Sequence, residues 1–133
     1  MRKFICILFA AVFLFACKQE VPRPDDALGT ARLFIESSLK GNYELARELM
    51  HADSVNTYEL NQLERKYKED MSEKDKAGYR KASIIIHEVQ QVSDSIVIIN
   101  YSNSFKNKKM PIKVIRPKDQ WEVDLHYTFT GNL

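Results

Sequence analysis

Trp121-Glu122-Val123-Asp124-Leu125-His126-Tyr127-Thr128-Phe129 puts a large apolar residue at every second position, with Glu, Asp, His and Thr between them. Side chains on a strand alternate between its two faces, so this run predicts a strand with one apolar and one polar face. Upstream, Ser83–Val92 and Ser95–Asn103 read as two strands joined by a tight turn at Ser93-Asp94. Asn107 falls in the next turn and Pro117-Lys118-Asp119 in the last. Pro111 has no N–H for a ladder, which places it on an edge, at a strand start or at a bulge. Ile84-Ile85-Ile86 and Ile96-Val97-Ile98-Ile99 are apolar at consecutive positions, so both strands are expected to be buried on both sides.

The segment before this sheet is helical in pattern. Ala27, Ala31, Phe34 and Ile35 form a stripe on a helix that Asp25 or Asp26 caps and Gly41 ends. Tyr43–Met50 follows as a short helix with Leu45, Ala46 and Leu49 on one face. Leu60, Leu63, Tyr67 and Met71 mark a third, and Ser72 with Asp75 caps a final short helix containing Gly78. These helices cover one sheet face. With Ile84, Ile86, Ile96 and Ile98 assigned to one face and Ile85, Val89, Val97 and Ile99 to the other, the uncovered face is expected to pair with a second copy as a homodimer.

Residues 1–16 read as a removable leader: Met1-Arg2-Lys3 is basic and Phe4–Ala16 is an unbroken apolar run. Its thirteen residues would span only about 20 Å as a helix, short of a bilayer's roughly 30 Å core. Leu14-Phe15-Ala16-Cys17 resembles the bacterial lipobox, with Phe15 bulkier than the usual residue there. That resemblance implies cleavage before Cys17 and lipidation of its thiol, hence a membrane partner. Cys6 leaves with the leader, so no thiol remains for a disulfide and the core alone holds the domain. Loss of Arg2 and Lys3 leaves 18 basic against 18 acidic residues. A formally neutral domain exerts no general pull on nucleic acid. Residues 17–26, with Pro22 and Pro24, read as lipidated cysteine and tether, and residues 27–133 as one α+β domain.

Ala31-Arg32-Leu33-Phe34, Lys40-Gly41-Asn42-Tyr43-Glu44-Leu45-Ala46 and Asp119-Gln120-Trp121-Glu122-Val123-Asp124 carry a resemblance to small bacterial lipoproteins of the nuclear-transport-factor-2-like (cystatin-like) superfamily. The resemblance implies helices packed on a curved antiparallel sheet, a cone whose mouth holds an Asp or His in isomerases and dehydratases. Tyr101, Trp121, Asp124 and His126 are the expected pocket-lining residues, with His87 a further strand candidate. Asp124 and His126 alternate with the apolar set, which turns them away from a buried face.

Other chemistry lacks residues. His51, His87 and His126 are scattered without metal-ligand spacing, no Gly-x-Ser-x-Gly occurs, and four unclustered glycines make no phosphate loop. No metal and no cofactor are expected. The basic run Lys106, Lys108, Lys109, Lys113, Arg116 and Lys118 reads as turn solvation and edge protection. The sequence thus predicts a non-enzymatic binding module of the envelope, recognising an unknown envelope protein or small ligand. The alternatives are a small-molecule carrier or isomerase-type enzyme, and a partner-blocking module. Lys18, in place of the Asp that marks inner-membrane retention, points to the outer membrane, on its periplasmic or surface side.

Overall fold

The computed structural model describes residues 21–131; the leader, Cys17 and Lys18 lie outside them. It is an α+β domain with a single antiparallel sheet in the order β1-β2-β3-β4. Helix α1 (Ala27–Leu39) starts where the Asp26 carboxylate accepts the Gly29 N–H at 2.6 Å. Gly41 then takes φ +74°, a left-handed conformation that side chains disfavour. Asn42 caps α2 (Tyr43–Leu49), Asp53 caps α3 (Ser54–Arg65) and Ser72 caps α4 (Glu73–Lys81), each by accepting a backbone N–H. The expected third helix is therefore present. Its last turn, Lys66–Asp70, is a π turn, and Met71 leaves it in extended conformation.

Strands β1 (Ile84–Ser93) and β2 (Ile96–Asn103) form the expected hairpin, with Asp94 and Ser95 at its turn. β3 (Met110–Ile115) carries Pro111 as its second residue, the start position a residue without N–H tolerates. Helix α1 packs on all four strands. Phe34, Ile35, Val97, Ile99, Ile112, Val114 and Val123 form the core between them.

Three expectations change. First, the strand expected over Trp121–Phe129 is short: β4 covers only Glu122–Asp124, and Leu125–Thr130 is a helix, α5. The cause lies in α3. Asn56, fully buried, turns its Oδ1 to the backbone N–H groups of Leu125 at 2.6 Å and His126 at 3.1 Å, so a side chain from elsewhere caps α5. A longer β4 would have met Pro111 two rungs beyond the Lys113–Asp124 pair. Second, β1 is not buried on both faces: Ile85, Val89 and Val92 are 39, 48 and 40 % exposed. β1 is an edge of the sheet, and its residues from His87 onward are exposed. Third, the two-face assignment is revised. Ile84 and Ile86 stand opposite Asn103 and Tyr101, which puts them on the core face with Val97 and Ile99. A register shift at His87 separates them from the rest of β1. Ile98 lies on the other face beside Lys113 and is nonetheless buried within the chain.

The linker between α2 and α3 extends the sheet by one bridge. Met50 pairs with Val123 in parallel, and the His51 N–H donates to the Val123 carbonyl at 2.9 Å. Arg23, inside the segment read as tether, donates to the carbonyls of Glu48 at 2.8 Å and Trp121 at 2.9 Å. From Arg23 onward that segment is docked on the domain.

Candidate functional site

A cavity of about 610 Å³ opens between α1, the end of α3, α4 and the core face of β2 and β3, with α5 as its last wall. That volume lies within the roughly 300–1,000 Å³ of ordinary small-molecule sites. Phe34, Tyr43, Tyr67, Tyr79, Tyr101 and Phe129 contribute six aromatic rings to its lining. Leu39, Leu63, Met71, Met110 and Ile112 fill the apolar surface between them.

The ring positions follow from local backbone. Tyr67 sits on the π turn, and its ring lies where a side chain at position 41 would be: a Cβ on Gly41 would come within 2.5 Å of it. Tyr43, directly after the Asn42 cap, meets that ring at 5.7 Å and a tilt of 60°. The Lys76 ammonium sits 5.3 Å from the Tyr67 centroid. Gly78 performs the same service for Phe105, whose ring packs edge-on against Tyr79 at 5.0 Å. Burial pushes the Tyr101 hydroxyl up to about 12. Burial, with Tyr67 and Glu64 nearby, pushes Tyr43 up to about 12 as well. Both phenols therefore stay neutral at physiological pH and are not bases there.

One side of the cavity is basic. Lys66, Lys106 and Lys108 belong to its lining, and among the described residues no Asp, Glu or His does. The β2–β3 turn presents two of them. The buried Asn103 side chain accepts the N–H groups of Phe105 at 3.1 Å and Lys106 at 3.0 Å, and Asn107 takes φ +53°. Lys106 reaches Asp75 at 3.8 Å and lies over the Phe105 ring. Among the described residues Lys66 and Lys108 have no ion-pair partner. Thr128 Oγ1, on the α5 wall, is buried without a hydrogen-bond partner.

Of the four expected pocket residues, only Tyr101 lies on this wall. Trp121 is buried in the core, with the Arg116 guanidinium 5.0 Å from its ring centroid. Asp124 faces the opposite side of the sheet and pairs with the buried Lys113 at 3.2 Å. His126 is in α5, with its Nδ1 buried and unpartnered. His87 Nε2 contacts Ser102 Oγ at 2.8 Å. The outward turn of Asp124 follows the alternation read from the sequence, whereas His126 departs from it because β4 ends at Asp124. The other lining aromatics had a signal in the sequence: Tyr67 and Tyr79 are hydroxyl-bearing rings on short helices, a choice that suits a wet cavity better than a dry core.

A second polar cluster is structural. His51 Nδ1 meets Glu122 Oε2 at 2.7 Å, and its Nε2 lies 3.8 Å from Asp53 Oδ2. Asp53 in turn accepts the Asn56 side-chain amide at 3.0 Å. The chain of contacts ties the α3 start to β4 and, through Asn56 and Leu125, to the α5 wall of the cavity. Among the described residues no group of His, Cys, Asp and Glu is arranged to hold a metal ion. No helix among them is long and apolar enough to cross a membrane. Comparison with known proteins finds no match, whether to a family model, a curated relative or a solved structure.

Proposed function

We propose that this chain is a lipid-anchored envelope protein, held through Cys17 and most simply at the outer membrane. Its domain is a cone of the nuclear-transport-factor-2-like kind that binds a small molecule with an apolar body between helices and sheet. The observation that carries the reading is the open aromatic cavity itself. A domain that used only its outer surface would gain more stability by filling such a space, since voids forfeit packing. Among the described residues the wall holds no carboxylate or imidazole, and its buried phenols are neutral, so the cavity suits binding rather than acid–base catalysis.

Solvent extraction of the full chain, purified from membranes, tests the reading. Wild type is expected to release a bound small molecule, and a Met110→Trp variant, whose indole occupies the cavity, is expected to release much less. Equal release from a folded Met110→Trp protein would place the ligand elsewhere. No release, together with no uptake of an added apolar probe, would refute the binding role.

A further inference from the structure

The cavity's charge is one-sided, and this specifies its ligand further. We propose, resting on the binding role above, that the ligand is an amphiphile with a single anionic head. Its apolar body lies among Phe34, Tyr67 and Tyr101, and its head lies between Lys66 and Lys108. Among the described residues three lysines border the cavity and no acid does, and the only carboxylate paired with any of them is Asp75, at 3.8 Å from Lys106. Lys66 and Lys108 are exposed and carry no ion pair among the described residues. Residues 17–133 carry 18 basic and 18 acidic residues, so this local excess is a property of the site and not of composition. A neutral apolar molecule would make no use of it, whereas a cation would be repelled. The partnerless Thr128 Oγ1 on the cavity wall adds a hydroxyl that a polar atom of the ligand can satisfy. Carboxylate and phosphate heads share the required chemistry.

Photolabelling of the full chain in zwitterionic phosphatidylcholine nanodiscs, with a diazirine-bearing dodecanoate, tests this. Label is expected on peptides containing Phe34, Tyr67 or Tyr101. Dodecanoate or dodecyl phosphate is expected to displace it about tenfold more effectively than dodecanol, the effect of two modest surface ion pairs. Whichever anion competes better names the head. Lys66→Ala/Lys108→Ala, two exposed positions, is expected to abolish the preference while leaving the melting curve unchanged. Equal displacement by acid and alcohol from wild type, with label still in the cavity, would overturn the anionic head and leave the binding role standing. Absence of cavity label from both this probe and its alcohol counterpart would remove both.

Discussion

Asn56→Ala tests the account of why the last strand stops. In the folded protein Asn56 is 1 % exposed and makes three contacts with its side chain: two accepted N–H bonds from Leu125 and His126, and one donated to Asp53. Alanine removes all three. The Leu125 N–H, on a residue 2 % exposed, then has neither protein nor water as partner. An unsatisfied buried group costs about 1–3 kcal/mol, and the half-buried His126 N–H adds a smaller amount because water can reach it. The expected loss is about 2–4 kcal/mol, a large part of a small domain's total, and it lowers Tm by roughly 8–16 °C. Urea unfolding followed by circular dichroism measures it, with an unchanged m-value confirming that the native state is still compact. Asn56→Asp separates the two roles. It keeps the acceptor for α5 but sets a second carboxylate beside Asp53, so its deficit is expected to shrink as pH falls into the carboxylate range. Asp53 itself is held below its usual pKa, first by the Asn56 N–H and further by the Asn56 amide and His51. Its contribution to stability is therefore present above about pH 4 and lost as pH falls through the depressed folded value. A loss below about 0.5 kcal/mol in Asn56→Ala would refute the capping argument.

Gly41→Ala is expected to cost about 1–3 kcal/mol from the left-handed backbone alone, and to displace the Tyr67 ring that stands 2.5 Å from the new Cβ; thermal melting and loss of ligand uptake check both. Tyr43 and Tyr101, each raised to about 12, favour the folded state fully below pH 10 and lose that contribution as pH climbs toward 12, so Tyr101→Phe is expected to flatten the alkaline limb of stability against pH. β1 leaves Ile85, Val89 and Val92 exposed on an unpaired edge, and self-association there is expected in sedimentation across concentration, abolished by Val89→Lys; a monomer at high micromolar concentration refutes it. Cys17→Ala is expected to block uptake of labelled palmitate, and unchanged labelling would discard the lipid anchor.

What the sequence reveals here is what local chemistry decides. Asp26, Asn42, Asp53 and Ser72 cap their helices because each offers an acceptor one turn before the backbone donors that need it. Gly41 ends α1 for an equally local reason, and the β1–β2 hairpin follows from two apolar runs separated by a two-residue turn. The end of β4 was not legible. The run from Trp121 alternates perfectly, yet the side chain that converts its second half to helix lies 69 residues upstream of Leu125. Long-range satisfaction of a buried donor overrides local pattern there. The cavity was hidden for a related reason. Its aromatic lining comes from α1, α2, the π turn, α4, β2 and α5, and no window of sequence brings those rings together. Tyr101 and the outward turn of Asp124 could be read because strand alternation held in β2 and through β4; the place of His126 could not, because alternation ends at Asp124.

The same contact that was hidden from the sequence also connects the cavity to the stability of the fold. Helix α5 has six residues, too few to persist without tertiary support. At its start Leu125 is buried in the core and Asn56 holds the first N–H groups; near its end Thr128 and Phe129 form part of the cavity wall. A ligand that fills the cavity therefore presses on the far end of an element whose near end is fixed by α3. Because such a ligand binds the docked helix and not the undocked one, its binding free energy adds to the hold that Asn56 supplies, in proportion to the logarithm of its concentration over its Kd. The reverse follows by linkage. Undocking α5 removes one wall, so a weakened Asn56 contact lowers ligand affinity without touching any residue of the aromatic lining. Cap and cavity wall are two ends of one six-residue helix.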